Sequence, residues 1–215
     1  MKLILFDFDG TLANTLANAF HAFRRVFEAF DQVSYRDDEI EAMFGPSEVG
    51  IIEKNLKSHA TQAAIDMYYD IYEKEHDHFV KADDHIIQLL EALKRKGYRL
   101  GIITSKGRRS LHISLEKLNM LNYFDDMIAY EDVSKPKPDP EGIVKLMKKY
   151  SASPNETLFF GDSDADIEAG LAAGVCTIGV SWFLSQASGQ FKHKPDQSFS
   201  RIDQCLFWLG EEEMI

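Results

Sequence analysis

Asp7 and Asp9 stand on either side of Phe8, directly after a short apolar run (Leu3, Ile4, Leu5, Phe6) and directly before Gly10 and Thr11. The run reads as a buried strand and the glycine as the turn that ends it, so one strand end delivers two carboxylates a single residue apart. Two anions that close repel each other, and the site needs a cation, a shared proton, or both. Further along the chain, Thr104 and Ser105 follow a second apolar run, and Asp162 follows a third through Gly161. Lys135 opens the stiff segment Lys135-Pro136-Lys137-Pro138-Asp139-Pro140. A parallel sheet gathers its carboxyl ends on one edge, where three carboxylates, a hydroxyl and an ammonium would converge. That set suits Mg2+, a hard cation that takes a few protein oxygens together with water and substrate phosphate.

The elements needed to bring these residues together can be read from periodicity. Strands are expected at 3–6, 98–103, 127–130, 157–160 and 175–180, each separated from the next by helical pattern, which implies a parallel sheet with right-handed crossovers. Leu16, Phe20, Phe23, Phe27 and Phe30 recur at helical spacing and predict an amphipathic helix over 14–30. Shorter helices are expected at 37–44 and 47–56 on either side of Gly45-Pro46. A long helix with Ala60, Ala64, Met67, Ile71 and Phe79 in phase follows. The aromatic stripe reads as a packed helical interior, not a ligand box. The fold class is therefore α/β, a Rossmann-like doubly wound parallel sheet. Residues 1–13 and 82–215 form the core domain, and 14–81 form an inserted α-helical domain.

Composition narrows the partners. The net charge is -11, from 24 Lys+Arg against 35 Asp+Glu, which opposes sequence-independent nucleic-acid binding because that needs a basic face. Cys176 and Cys205 lie in apolar surroundings and read as buried free thiols in a reducing compartment. No run approaches the roughly 20 apolar residues of a membrane span. A cytoplasmic protein with no membrane or nucleic-acid partner is expected, as a monomer or homodimer.

Four segments now resemble the four motifs of the haloacid-dehalogenase superfamily of phosphohydrolases. They are Asp7-Phe8-Asp9-Gly10-Thr11-Leu12, Thr104 after its strand, Lys135-Pro136-Lys137-Pro138, and Gly161-Asp162-Ser163-Asp164-Ala165-Asp166. Order and spacing agree from residue 1 to about 180, and the inserted helices are similar to the family's small α-helical (C1) cap. The nearest branch by resemblance is the phosphoglycolate-phosphatase-like and phosphatase–phosphomutase one. The resemblance implies that Asp7 attacks phosphorus to form an aspartyl phosphate, while Asp9 acts as general acid and then as base. It implies Mg2+ held by the Asp7 carboxylate, the Asp9 carbonyl and Asp162, with Asp166 behind them. Thr104, the backbone N–H groups of Gly10 and Ser105, and the Lys135 ammonium would hold the transferring oxygens.

Plainer readings stand beside these. Asp9 with Gly10 is also a common turn pair, Thr104 could cap a helix, and Lys137 could be the working ammonium in place of Lys135. Asp164 and Asp166 both suit the first turn of a helix. Asn14 departs from the family, which often has Asp there. Asp9 argues against dehalogenation and phosphonate cleavage, since those members lack or replace that carboxylate. The family points the loop Phe44-Gly45-Pro46-Ser47-Glu48 at the site. An inward Glu48 would disfavour a second anionic group on the substrate and could accept a sugar hydroxyl or help hold metal around pyrophosphate. An outward Glu48 would only begin a helix. The expected function is a Mg2+-dependent phosphomonoester hydrolase acting on a small phosphorylated metabolite. A β-phosphoglucomutase-like sugar mutase and an inorganic pyrophosphatase are the alternatives, and the intact motif set opposes a non-catalytic binding protein.

Overall fold

The computed structural model describes residues 2–183 and 191–210; the acidic run 211–213, expected to be a solvated tail, lies outside them. Six parallel strands form one sheet: β1 (Leu3–Phe6), β2 (Arg99–Ile103), β3 (Asp126–Ile128), β4 (Thr157–Gly161), β5 (Cys176–Val180) and β6 (Gln197–Phe199). Their order is β3-β2-β1-β4-β5-β6. Five are the expected strands, with bounds moved by at most two residues. The sixth was not expected. Gln197, Ser198 and Phe199 are too few, and too little buried, to leave an apolar alternation, and only their pairing with Ile178, Gly179 and Val180 makes them a strand.

Alternation along β1 explains the two layers of helix. Ile4 and Phe6 face a cluster with Leu89, Leu90 and Leu93 of α5 (Asp84–Arg95) and Leu111 and Leu115 of α6 (Arg108–Lys117). Leu3 and Leu5 face the opposite cluster, with Ile143 and Leu146 of α7 (Glu141–Lys149) and Ala169 of α8 (Asp164–Ala173). A last helix, α9 (Ile202–Trp208), adds Ile202 and Cys205 to the first layer.

Between β1 and α5 the chain forms α1 (Leu16–Asp31), α2 (Asp37–Glu41), α3 (Glu48–Asn55) and α4 (Thr61–Phe79). These helices share their own core of Ala22, Phe23, Val26, Phe27, Ile52, Ala64, Tyr68 and Tyr72, joined by Ile113 from α6. The expected stripe on α1 is centred correctly but is too narrow. Phe23 and Phe27 are buried, Phe20 and Phe30 only flank, and Asn18, Ala19, Ala22 and Val26 complete the inward face. A helix turning 100° per residue buries a broad stripe, and small residues fill it where α4 comes close. Among the described residues no helix is long and apolar enough to cross a membrane.

Candidate active site

The chain leaves β1 to build β2 and β3 on one side, then returns to build β4, β5 and β6 on the other. The carboxyl ends of β1 and β4 therefore border the crevice where such sheets bind ligands. Phe6 pairs with Ile102 of β2 and Phe160 of β4, so Asp7, Thr104 and Asp162 emerge on one edge at nearly one level. Hydrogen bonds from Asp7 N to Phe160 O and from Thr104 N to Ile128 O, 2.8 and 3.0 Å, carry the ladders to the rim of the site.

Asp7, Asp162 and Asp166 each present a carboxylate oxygen to a common point, with those atoms within 4.8 Å of one another. Asp7 is buried and its Oδ1 lies 2.8 Å from Lys137 Nζ, an ion pair off the angle of a hydrogen bond. Burial, then the neighbouring charge of Asp166, pushes the Asp7 carboxyl up to about 7 against the pull of Lys137. Burial, then Asp7 and Asp166, pushes Asp162 up to about 8. Carboxylates whose ionisation is opposed by burial and by one another's charge, one with an oxygen on which no donor is aligned, fit a hard divalent cation. Asp166 differs from the other two. Its Oδ1 accepts from Lys137 and its Oδ2 from Ser163 N and Oγ, 3.0 and 2.6 Å, closing the capping box of α8. Its bonds give it the work of fixing Lys137.

Two expectations are corrected here. Lys135 is not in the site: its side chain is 75% exposed, with Nζ 3.9 Å from Asp139. Glu141, in the first turn of α7, accepts the Ser134 and Lys135 N–H groups and pins that stretch outside, while Lys137, two residues on, reaches Asp7 and Asp166. Burial alone would lower Lys137, but Asp166 and Asp7 more than offset it and hold the ammonium above the ordinary lysine value. The Gly10 N–H is not open to a phosphate either, because it donates to Ala13 O at 2.9 Å. Gly10 is needed for space. It sits at φ +84, and a Cβ there would overlap the Asp162 carboxylate, which Thr11 Oγ1 meets at 2.9 Å.

Asp9 belongs to a second cluster. Its Oδ1 accepts from Thr15 Oγ1, and its Oδ2 lies 3.2 Å from Lys106 Nζ. Lys106 is buried, 3.8 Å from Glu48 Oε1 and 4.8 Å from the centre of the Tyr72 ring. Glu48, the first residue of α3, accepts from Gly107 N at 2.9 Å and from Ser110 Oγ. The carboxylate is inward and tied across α3 to the loop after β2. Gly107 leaves the room for it, since a Cβ there would strike Glu48 Oε2. Sequence reasoning missed Lys106. The available signal was its offset: it is the third residue beyond β2, as Asp9 is the third beyond β1. Thr104 is buried, its Oγ1 accepting from Lys106 N at 3.2 Å, with the hydroxyl proton left to donate.

A cavity of about 270 Å3 joins the two clusters. Asp7, Asp9, Thr104, Ser105, Lys137 and Asp162 line its sheet side; Leu16, Phe23, Phe44, Ile51 and Tyr68 line the side formed by α1–α4 and their connections. Asp164 stands aside at the start of α8 and accepts from Lys192 N at 2.8 Å.

Residues 4–180 match the family described as haloacid dehalogenase-like hydrolase. The chain is 33% identical to pyrophosphatase PpaX of Oceanobacillus iheyensis, over 98% of each chain. A Bacteroides fragilis structure, described as a haloacid dehalogenase-like hydrolase, is 30% identical with a TM-score of 0.73, over 95% of this chain and 99% of that one. CbbY from Rhodobacter sphaeroides, solved with phosphate, has a TM-score of 0.80 at 20% identity, over 94% and 95% of the two chains, a likeness of fold.

Proposed function

The chain belongs to the haloacid dehalogenase-like hydrolases, and from that premise we propose that it is a Mg2+-dependent phosphomonoester hydrolase acting on a small phosphorylated metabolite. In this reading residues 14–81 are a cap over a core of 1–13 and 82–215, and the enzyme works in the cytoplasm as a monomer or homodimer. The buried Asp7 carboxylate, facing one ammonium and two further carboxylates at the switch point of the sheet, carries the proposal.

Asp7 attacks phosphorus in line and takes the phosphoryl group, splitting one difficult displacement into two easier ones. Asp9 gives a proton to the leaving alcohol and then takes one from the water that cleaves the aspartyl phosphate. Asp7, Asp162 and the Asp9 carbonyl would hold Mg2+, since the Asp9 carboxylate is engaged by Thr15 and Lys106. Bound there, the ion supplies positive charge against the meeting of two anions. Lys137 orients Asp7, and the Thr104 hydroxyl with the Ser105 N–H donates to the transferring oxygens. The helices α1–α4 keep bulk water from the aspartyl phosphate.

The test is phosphate release from p-nitrophenyl phosphate. It should require Mg2+, stop on chelation, and be lost in Asp7→Asn; equal turnover by that variant would overturn the nucleophile assignment. A second reading, hydrolysis of inorganic pyrophosphate, is favoured by the name of the Oceanobacillus relative. Comparing kcat/KM for pyrophosphate and for a panel of monoesters separates the two.

A further inference from the structure

The cavity's two sides differ in what they offer a ligand, and the side away from the sheet is specific. Tyr68 of α4 lines it, fully buried, and its hydroxyl has no hydrogen-bond partner among the described residues. A buried hydroxyl left unpaired is disfavoured, which marks a place where a ligand group completes the structure. The ring is fixed by Phe23 at 4.5 Å and Tyr72 at 5.8 Å between centroids, so the hydroxyl cannot swing off to find another partner. Burial, then the charges of Glu48, Tyr72 and Asp9, holds its proton far above the ordinary tyrosine range, so it meets a ligand as a neutral O–H.

Charge is the other half of the selection. Lys106 is the ammonium beside this wall, and it already faces two carboxylates, Asp9 and Glu48. Glu41 lines the same wall. A second phosphate or a carboxylate on the leaving group would meet a negative surface and a cation already neutralised. The neighbouring rings and aliphatic groups of Leu16, Phe23, Phe44 and Ile51 instead suit the carbon face of an uncharged alcohol. The volume is just below the range of roughly 300–1,000 Å3 that takes drug-sized ligands, which restricts the substrate to a small one.

We propose that Glu48 and Tyr68 together select the leaving group: Glu48 masks Lys106 from anions, and the Tyr68 hydroxyl hydrogen-bonds a small, uncharged, hydroxyl-bearing alcohol. The proposal rests on the phosphatase reading and names its substrate class, and it makes inorganic pyrophosphate the poorer substrate.

The experiment compares kcat/KM for glycerol phosphates and hexose phosphates with that for pyrophosphate and phosphoglycolate, with p-nitrophenyl phosphate as reference. The unsubstituted enzyme should prefer the best of the uncharged leaving groups by at least about tenfold, the step of one hydrogen bond. Glu48→Gln keeps the shape and the acceptor for Gly107 while removing the charge, and should narrow that preference by about tenfold. Tyr68→Phe should lower the ratio of hydroxylated ester to p-nitrophenyl phosphate by about tenfold. Turnover of p-nitrophenyl phosphate together with a preference for pyrophosphate or phosphoglycolate would overturn this proposal alone. So would folded Glu48→Gln and Tyr68→Phe proteins that leave both ratios unmoved. No turnover of any monoester would overturn the phosphatase reading and this one with it.

Discussion

Lys137 and Lys106 are both buried ammonium groups set against an aspartate of the turn after β1, yet their surroundings are unlike. Lys137 works at the edge of the sheet: Asp7 and Asp166 lie against it, Asp162 adds a third carboxylate, and one positive charge cannot balance them. Lys106 works across the junction with the helical segment, where Asp9 and Glu48 oppose it and Thr15, Gly107 and Ser110 satisfy their oxygens. The first cluster, three carboxylates to one ammonium, is short of positive charge, the deficit that the proposed Mg2+ would meet. The second sets two carboxylates against one ammonium, but hydrogen-bond donors meet their oxygens, and it holds α3 onto the loop after β2. The larger deficit of positive charge lies beside Asp7, while in the second cluster Glu48 acts as a clasp and Asp9 stays on the cavity for the proposed proton transfer.

The strongest challenge to that contrast is the proposed nucleophile, Asp7. Asp7→Asn should reduce Mg2+-dependent phosphate release by roughly 10^3-fold or more, the scale of losing a covalent catalyst, as steady-state and burst kinetics will read. Lys137→Ala should follow, with about a hundredfold loss of kcat or more, because Asp7 and Asp166 then face each other without an ammonium. Lys135→Ala should stay within about twofold, as its ammonium is at the surface. If the two lysine variants behaved alike, the difference between a buried and a surface ammonium would lose its meaning.

The acidic site and the junction between α4 and α6 also differ in their response to pH, and with opposite sign. Asp7 and Asp162 have folded-state values of about 7 and 8, above the ordinary carboxylate value of 3.8. Protonated carboxylates favour the fold, so metal-free protein should lose stability as pH rises from about 4 through 8. Added Mg2+ should then raise Tm more at pH 8 than at pH 5, by differential scanning fluorimetry; an equal rise at both would detach the metal from these carboxylates. The junction behaves in reverse through His76 of α4, which is buried against Ser114 of α6. Burial lowers its value from 6.5 to about 4, so the fold holds the neutral ring. The His76 contribution is full above pH 6.5 and should fall by about 2–3 kcal/mol as pH drops toward 4, and His76→Gln should flatten that slope in urea titrations. A modest change is expected from Gly107→Ala, which pushes Glu48 from its place. It should destabilise by about 1 kcal/mol, measured by urea unfolding.

Much of this architecture was legible in the chain. Strand ends announced themselves where apolar runs met Asp7, Thr104 and Asp162, and five strands lay within two residues of their expected bounds. The helical segment was equally plain, since Phe23 and Phe27 recur at helical spacing. β6 was not, because a three-residue edge strand has no periodicity to read. Lys135 and Lys137 look equivalent in a row of alternating prolines; only the hydrogen bonds that Glu141 makes to residues 134 and 135 separate them. Glu48 was ambiguous in direction, and Lys106 gave no sign beyond its offset from a strand end.

The order and type of residues decided which groups stand at the edge of the sheet, because hydrophobic alternation and turn chemistry act over a few positions and are written locally. Packing decided the rest: which lysine faces Asp7, that the Gly10 N–H turns to Ala13, and that Glu48 closes on Lys106 from 58 positions away along the chain. Those are contests among distant side chains for the same buried volume and the same counter-charge, and they are resolved only when the helices and the sheet are brought together.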